Sequence, residues 1–132
     1  METELGVLRG TLTLRKQDSD ILTIEASSGL SERQMQRGEY QLGEGVTGKV
    51  AETGQMEIIA DISQSTDFLN RTKARDDEKV AFICVPIIHN KEIIGTISID
   101  IPAVDESALE TYALFLEHVA QILASAVSTI RE

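Results

Sequence analysis

The chain has 132 residues, 42% of them hydrophobic, which suits one domain around one core and leaves little room for two. Its 12 Lys and Arg face 22 Asp and Glu, a net charge of -10, so the broad positive field of a nucleic-acid grip is missing. Apolar runs such as Val80 to Ile88 are strand-sized and fall short of a membrane span, and no secretory signal pattern precedes Arg9. A single cysteine, Cys84, cannot close an internal disulfide or by itself build a structural zinc site, and a reducing cytoplasm is the expected setting.

Gly10 to Lys16 alternates Leu12 and Leu14 with Thr11 and Thr13, the period of a half-buried strand. The polar turn Gln17-Asp18-Ser19-Asp20 returns the chain as Ile21 to Ala26, so the two segments are expected to form an antiparallel hairpin. Ser31 to Arg37 carries straight-chain helix formers behind a capping serine and stops at Gly38, which predicts a short helix. Val46, Val50 and Ala51 between Gly45 and Gly54 predict a two-turn helix packed on the sheet, and Met56 to Ala60 a further strand.

Asp61 to Lys79 is aperiodic, and long loops in small domains tend to carry function. Val80 to Ile88 and Glu92 to Ile101 read as apolar on both faces and bracket the turn His89-Asn90-Lys91, which predicts a central antiparallel hairpin covered on both sides. After Pro102, Ser107 and Glu110 offer a capping box for a terminal helix. Leu109, Tyr112, Leu116, Val119, Leu123, Ala126 and Ile130 recur at three- and four-residue steps, the pattern of a helix–helix seam. Leu109, Tyr112, Leu116, Val119 and Leu123 are therefore the expected interface, a homodimer is the expected assembly, and a longer regulator is expected to continue past the helix. The whole of residues 1–132 is read as a single domain.

This α+β order, a central antiparallel sheet flanked by helices, resembles a GAF domain. The resemblance is carried by Arg9-Gly10-Thr11-Leu12, Gly29-Leu30, Gly43-Glu44-Gly45-Val46-Thr47-Gly48, Asp61-Ile62, Phe68-Leu69-Asn70-Arg71-Thr72, Phe82-Ile83-Cys84-Val85-Pro86-Ile87 and Ile94-Gly95, and it covers residues 9 to 130. The Phe68–Thr72 segment followed by Phe82–Ile87 is similar to the N-terminal domain of NifA-type nitrogen-fixation activators. The resemblance implies a sensor domain of a sigma-54-dependent transcription activator with a small molecule bound under the long loop; the alternative reading is a ligand-free module for dimerisation or for docking an inhibitory regulatory protein. Some NifA-type proteins respond to 2-oxoglutarate. Cyclic-nucleotide, methionine-sulfoxide-reducing, bilin and haem subtypes of the superfamily do not fit, since their constellations, second cysteine or roomy aromatic pocket are missing from this sequence.

Gly43-x-Gly45-x-x-Gly48 matches the dinucleotide fingerprint, but that motif works between a parallel strand and its crossover helix, and hairpins surround it here. Close packing of a helix on the sheet is the preferred reading. Asn70-Arg71-Thr72-Lys73-Ala74-Arg75 puts three cations into the long loop of an acidic chain. Arg71 and Arg75, with Asn70 and Thr72, could fork onto a small dicarboxylate, with Phe68 and Cys84 completing the candidate site. The plainer reading is a solvated loop neutralised by Asp76-Asp77-Glu78. A buried Cys84 would behave chiefly as a small hydrophobe. His89 and His118 have no second ligand at metal spacing, and no Ser-His-Asp grouping appears, so neither a metal, a cofactor nor an enzymatic activity is expected.

Overall fold

The computed structural model describes residues 9–28, 33, 38–62, 80–102 and 105–131. Its strands are β1 (Arg9–Arg15), β2 (Ile21–Ser28), β3 (Tyr40–Gln41), β4 (Glu57–Ile59), β5 (Val80–His89) and β6 (Glu92–Pro102), and its longer helices are α1 (Gly45–Thr53) and α2 (Glu106–Arg131). The strands form one sheet in the order β3-β2-β1-β6-β5-β4, with antiparallel pairing throughout. This is the expected α+β class. Of the predicted helix at Ser31 to Arg37 only Arg33 is described, and it is helical. Residues 63–79, with Phe68, Asn70, Arg71, Thr72 and Arg75, lie outside the described residues.

β5 and β6 are adjacent from Val80↔Pro102 to His89↔Glu92, as predicted. Asn90 and Lys91 close the hairpin with φ of 51° and 65°. Both central residues of this tight turn are thus left-handed, as a right-twisted hairpin requires.

The reading of β6 as apolar on both faces is corrected by the structure. Ile97, Ile99 and Ile101 join Ala81, Ile83, Val85 and Ile87 of β5 beneath α2, whereas Thr96, Ser98 and Asp100 point to the other face and are buried there. Leu12 of β1 packs against the α2-side core and Thr13 lies on the opposite face, so the period-two reading of β1 holds.

α2 is capped two residues earlier than the Ser107–Glu110 box implies. The Asp105 carboxylate accepts the Ala108 N–H at 2.9 Å, and the Asp105 carbonyl accepts the Leu109 N–H at 3.1 Å. A carboxylate reaching the third helical N–H satisfies an orphan donor and sits at the positive end of the helix dipole, which decides against the serine.

The α2 seam also needs correction. Leu109 and Leu116 are buried in the sheet core together with Ala113, Ala120 and Ala124, so these two leucines serve α2's own sheet and leave nothing for a second helix. Three alanines on this stripe let the helix axis approach the isoleucine-rich strands. Residues 106–130 are long and apolar enough to cross a membrane by length and composition, which the run-length reading overlooked, but here the apolar stripe is the cover of the sheet.

Gly48 explains the glycine-rich stretch. A Cβ there would lie 2.3 Å from the Gln41 carbonyl oxygen, so α1 can approach β3 only through a glycine. The helix-packing reading of the fingerprint therefore stands.

Candidate functional site

Beneath α1 the sheet presents a polar face built by register. Ser27, Thr11, Ser98, Cys84 and Glu57 are successive cross-strand partners in one row, Ile24, Thr13, Thr96 and Pro86 in a second, and Arg9, Asp100, Phe82 and Ile59 in a third. The Thr13 and Thr96 hydroxyls share a hydrogen bond of 2.6 Å, and those of Thr11 and Ser27 one of 3.1 Å. The Arg9 guanidinium lies 3.5 Å from the Asp100 carboxylate, with the two side chains 15% and 3% exposed. Val46 and Val50 of α1 close over Phe82 and Cys84, joined by Ile59 and Ile62.

All five buried polar residues among those described, Thr13, Thr47, Thr96, Ser98 and Asp100, belong to this side of the sheet or to the helix over it. The α2 side is apolar throughout. A polar group loses hydration on burial and is tolerated only where partners replace the water. Five such groups gathered on one face mark it as the place where the fold accepts polar chemistry.

Cys84 lies on this face but is fully buried. Burial pushes its thiol up to about 12, opposed by hydrogen bonds with Thr96 and Thr47 and reinforced by the nearby charge of Glu57. It is a neutral wall group. Native protein is therefore expected to resist iodoacetamide at about pH 8, where a free thiol is already partly ionised, and to react fully once denatured. Mass spectrometry would check this, and fast native alkylation would show the thiol to be open.

Of the predicted site residues, Cys84 is thus placed, and Phe68, Asn70, Arg71, Thr72 and Arg75 fall outside the described residues. Arg9, Thr13, Thr47, Thr96, Ser98 and Asp100 were missed. For Thr96, Ser98 and Asp100 the signal was the alternation Thr96-Ile97-Ser98-Ile99-Asp100-Ile101, which separates a polar from an apolar face at every step. Among the described residues no group of His, Cys, Asp and Glu is arranged to hold a metal ion.

Comparison with known proteins decides the family, because the model of the GAF domain matches residues 2–124. The chain belongs to the GAF domain family. It is similar to the nitrogen fixation protein VnfA of Azotobacter vinelandii, with 42% identity over 102 residues, 74% of this chain and 20% of that protein. It is also similar to the nitrogen fixation protein AnfA of the same organism, with 34% identity over 129 residues, 96% of this chain and 24% of that protein. The GAF domain thus spans about a quarter or less of the length of these relatives. Among solved structures, the GAF domain of A. aeolicus nlh2 in an inactive state superposes with a TM-score of 0.79 at 25% identity, covering 97% of this chain and 77% of that one. The likeness to nitrogen-fixation regulators read from the Phe68–Thr72 and Phe82–Ile87 segments therefore extends over most of the chain.

Proposed function

We propose that this GAF domain is the signal-receiving, non-enzymatic domain of a cytoplasmic nitrogen-fixation-type transcription activator, and that its signal is a small carboxylate. The observation that supports this reading most is the gathering of buried polar side chains on the α1 face of the sheet. A ligand-free scaffold has no use for that desolvation cost. The cations of Asn70–Arg75 follow in the chain from Ile62, which packs at the edge of the same face. In this reading Arg71 and Arg75 take the two carboxylates of the ligand, Asn70 and Thr72 supply neutral hydrogen bonds, Phe68 and Cys84 contribute apolar wall, and the ligand is 2-oxoglutarate.

β6 supplies the route by which occupancy reaches the rest of a longer regulator. Thr96, Ser98 and Asp100 face the site, while Ile97, Ile99 and Ile101 of the same strand hold α2. Any displacement of the polar residues moves the seat of the helix, because a close-packed core transmits strain.

Calorimetric titration of 2-oxoglutarate is expected to give saturable heat in the parent and a loss of affinity in Arg71→Ala and Arg75→Ala. At 100 times its dissociation constant the ligand should stabilise the fold by about 2.7 kcal/mol. No saturable heat with 2-oxoglutarate rejects that ligand, and unchanged affinity in both variants rejects the anchors.

A further inference from the structure

The Arg9–Asp100 row lies at the end of the sheet where β5 begins and β6 finishes. At the opposite end, the β1–β2 turn, the β5–β6 turn and the last turn of α2 border a second cleft of about 610 Å³, a size that suits a small molecule. Both turns are held by hydrogen bonds. The Lys16 N–H donates to the Ile21 carbonyl at 2.8 Å and the Ser19 N–H to the Lys16 carbonyl at 3.2 Å. The Arg15 Nε–H donates to the Ser19 carbonyl at 2.7 Å, and its guanidinium reaches the Asp20 carboxylate at 3.2 Å. In the other turn β5 and β6 stay paired down to His89↔Glu92. A ligand meeting such a frame orders side chains only and leaves the backbone as it is, which lowers the entropic cost of binding.

Charge narrows the ligand. Seven Lys and Arg fall among the described residues, and three of them, Arg15, Lys16 and Lys91, belong to or adjoin these two turns in a chain of net charge -10. Asp18 and Glu92 line the same cleft as Arg15 and Lys16. A phosphate or a dicarboxylate would therefore meet two acids, and a metal ion or a polyamine would meet two bases. A molecule with one charge of each sign satisfies both sets. Once those charges are matched the rest of the wall is neutral, with the amides of Gln17 and Asn90, the Ser128 hydroxyl and the apolar bodies of Ile93 and Ile94.

We propose that this cleft binds a free α-amino acid with an uncharged side chain, its carboxylate toward Arg15 and Lys16 and its ammonium toward Asp18 and Glu92. The site is separate from the α1 face and needs neither the Asn70–Arg75 cations nor 2-oxoglutarate. Ser128 belongs to the last turn of α2, so the bound amino acid ties that helix end to both turns of the sheet. Lys16, Asp18 and Glu92 are exposed, and the expected dissociation constant is roughly 0.1 to 1 mM.

The test is heteronuclear NMR of the 132-residue chain titrated with L-asparagine, L-glutamine, L-serine and L-valine. At least one probe should give saturable amide shifts centred on Lys16–Asp18, His89–Glu92 and Ser128. Its N-acetyl derivative, which lacks the ammonium, and its carboxamide, which lacks the carboxylate, should each bind roughly 10-fold more weakly. Lys16→Gln and Asp18→Asn should weaken binding by roughly 5-fold or more, and the turn should survive because asparagine accepts the φ of 60° at position 18. Arg71→Ala should leave this affinity unchanged, which separates the cleft from the site proposed for 2-oxoglutarate. No saturable shift from any probe up to about 10 mM overturns the proposal. So do shifts centred on Thr13, Thr96 and Cys84, which would put the amino acid on the α1 face, and so does undiminished affinity in either derivative or either turn variant.

Discussion

Gly95→Ala is expected to cost about 3 kcal/mol and lower the melting temperature by roughly 10 °C in a domain of this size. A Cβ at this position would lie 2.2 Å from the Thr13 carbonyl oxygen and 3.1 Å from the Leu14 Cα. Both are backbone atoms of the neighbouring strand, so no rotamer change relieves the contact and β1 must separate from β6. That junction carries the Thr13–Thr96 hydrogen bond and sits at the bulge between Ile87 and Ile88 of β5, where Gly95 is itself the partner of Ile87, so local loosening spreads into the polar face. The matched control is Gly10→Ala on the same pair of strands. Its Cβ would meet only the Ser28 Oγ, at an ordinary 3.7 Å, and stability should hold within about 0.5 kcal/mol. Urea unfolding of the two variants decides the matter, and equal losses would show that a generic strand-glycine effect, not close approach, governs both.

The same pair of positions shows how far the sequence could be read. Alternation around Leu12 and the short His89–Lys91 turn made the hairpins legible, because strand period and turn length are local properties. Which strand lies beside which is not local: the partnership of β1 with β6 joins residues more than eighty positions apart, and it is this register that brings Arg9 to Asp100 and Thr13 to Thr96. The polar face was half visible. The alternation from Thr96 to Ile101 was present in the sequence, but a run dense in isoleucine reads as apolar overall, and the hydroxyls were absorbed into it. The error on α2 has a related cause. Leu109, Tyr112, Leu116, Val119 and Leu123 satisfy a seven-residue repeat, and so does the line through Phe115 and Ile122; only the position of the sheet tells which of the overlapping stripes is used for the core. Cys84 was legible as a buried thiol from its apolar neighbours, while its hydrogen bonds with Thr47 and Thr96 come from two other elements and leave no local trace.

Removal of the Asp100 carboxylate is the more informative perturbation, because it separates what the polar face does for stability from what it does for binding. Asp100→Ala is expected to cost about 3 kcal/mol, since it leaves the largely buried Arg9 guanidinium without its carboxylate. The 3.5 Å separation is long for a charge-assisted hydrogen bond, so the loss should come mainly from reduced compensation of the largely buried Arg9 charge and less from this one contact. The double variant Arg9→Met, Asp100→Leu should then recover most of the deficit, because apolar residues of similar size remove both desolvation costs together. A thermodynamic cycle through Arg9→Met, Asp100→Ala and the double variants, read by denaturant unfolding, yields the coupling directly. If Asp100→Ala costs less than about 1 kcal/mol, the pair is not the electrostatic keystone of this face. If the apolar pair restores stability but abolishes the calorimetric response to 2-oxoglutarate, the ions are kept for recognition. A fold this rich in isoleucine could have filled the Arg9–Asp100 row with aliphatic side chains, as it did on the α2 side, and in the proposed reading the ligand is the reason for keeping a buried Asp100 and a largely buried Arg9 next to four buried hydroxyl groups.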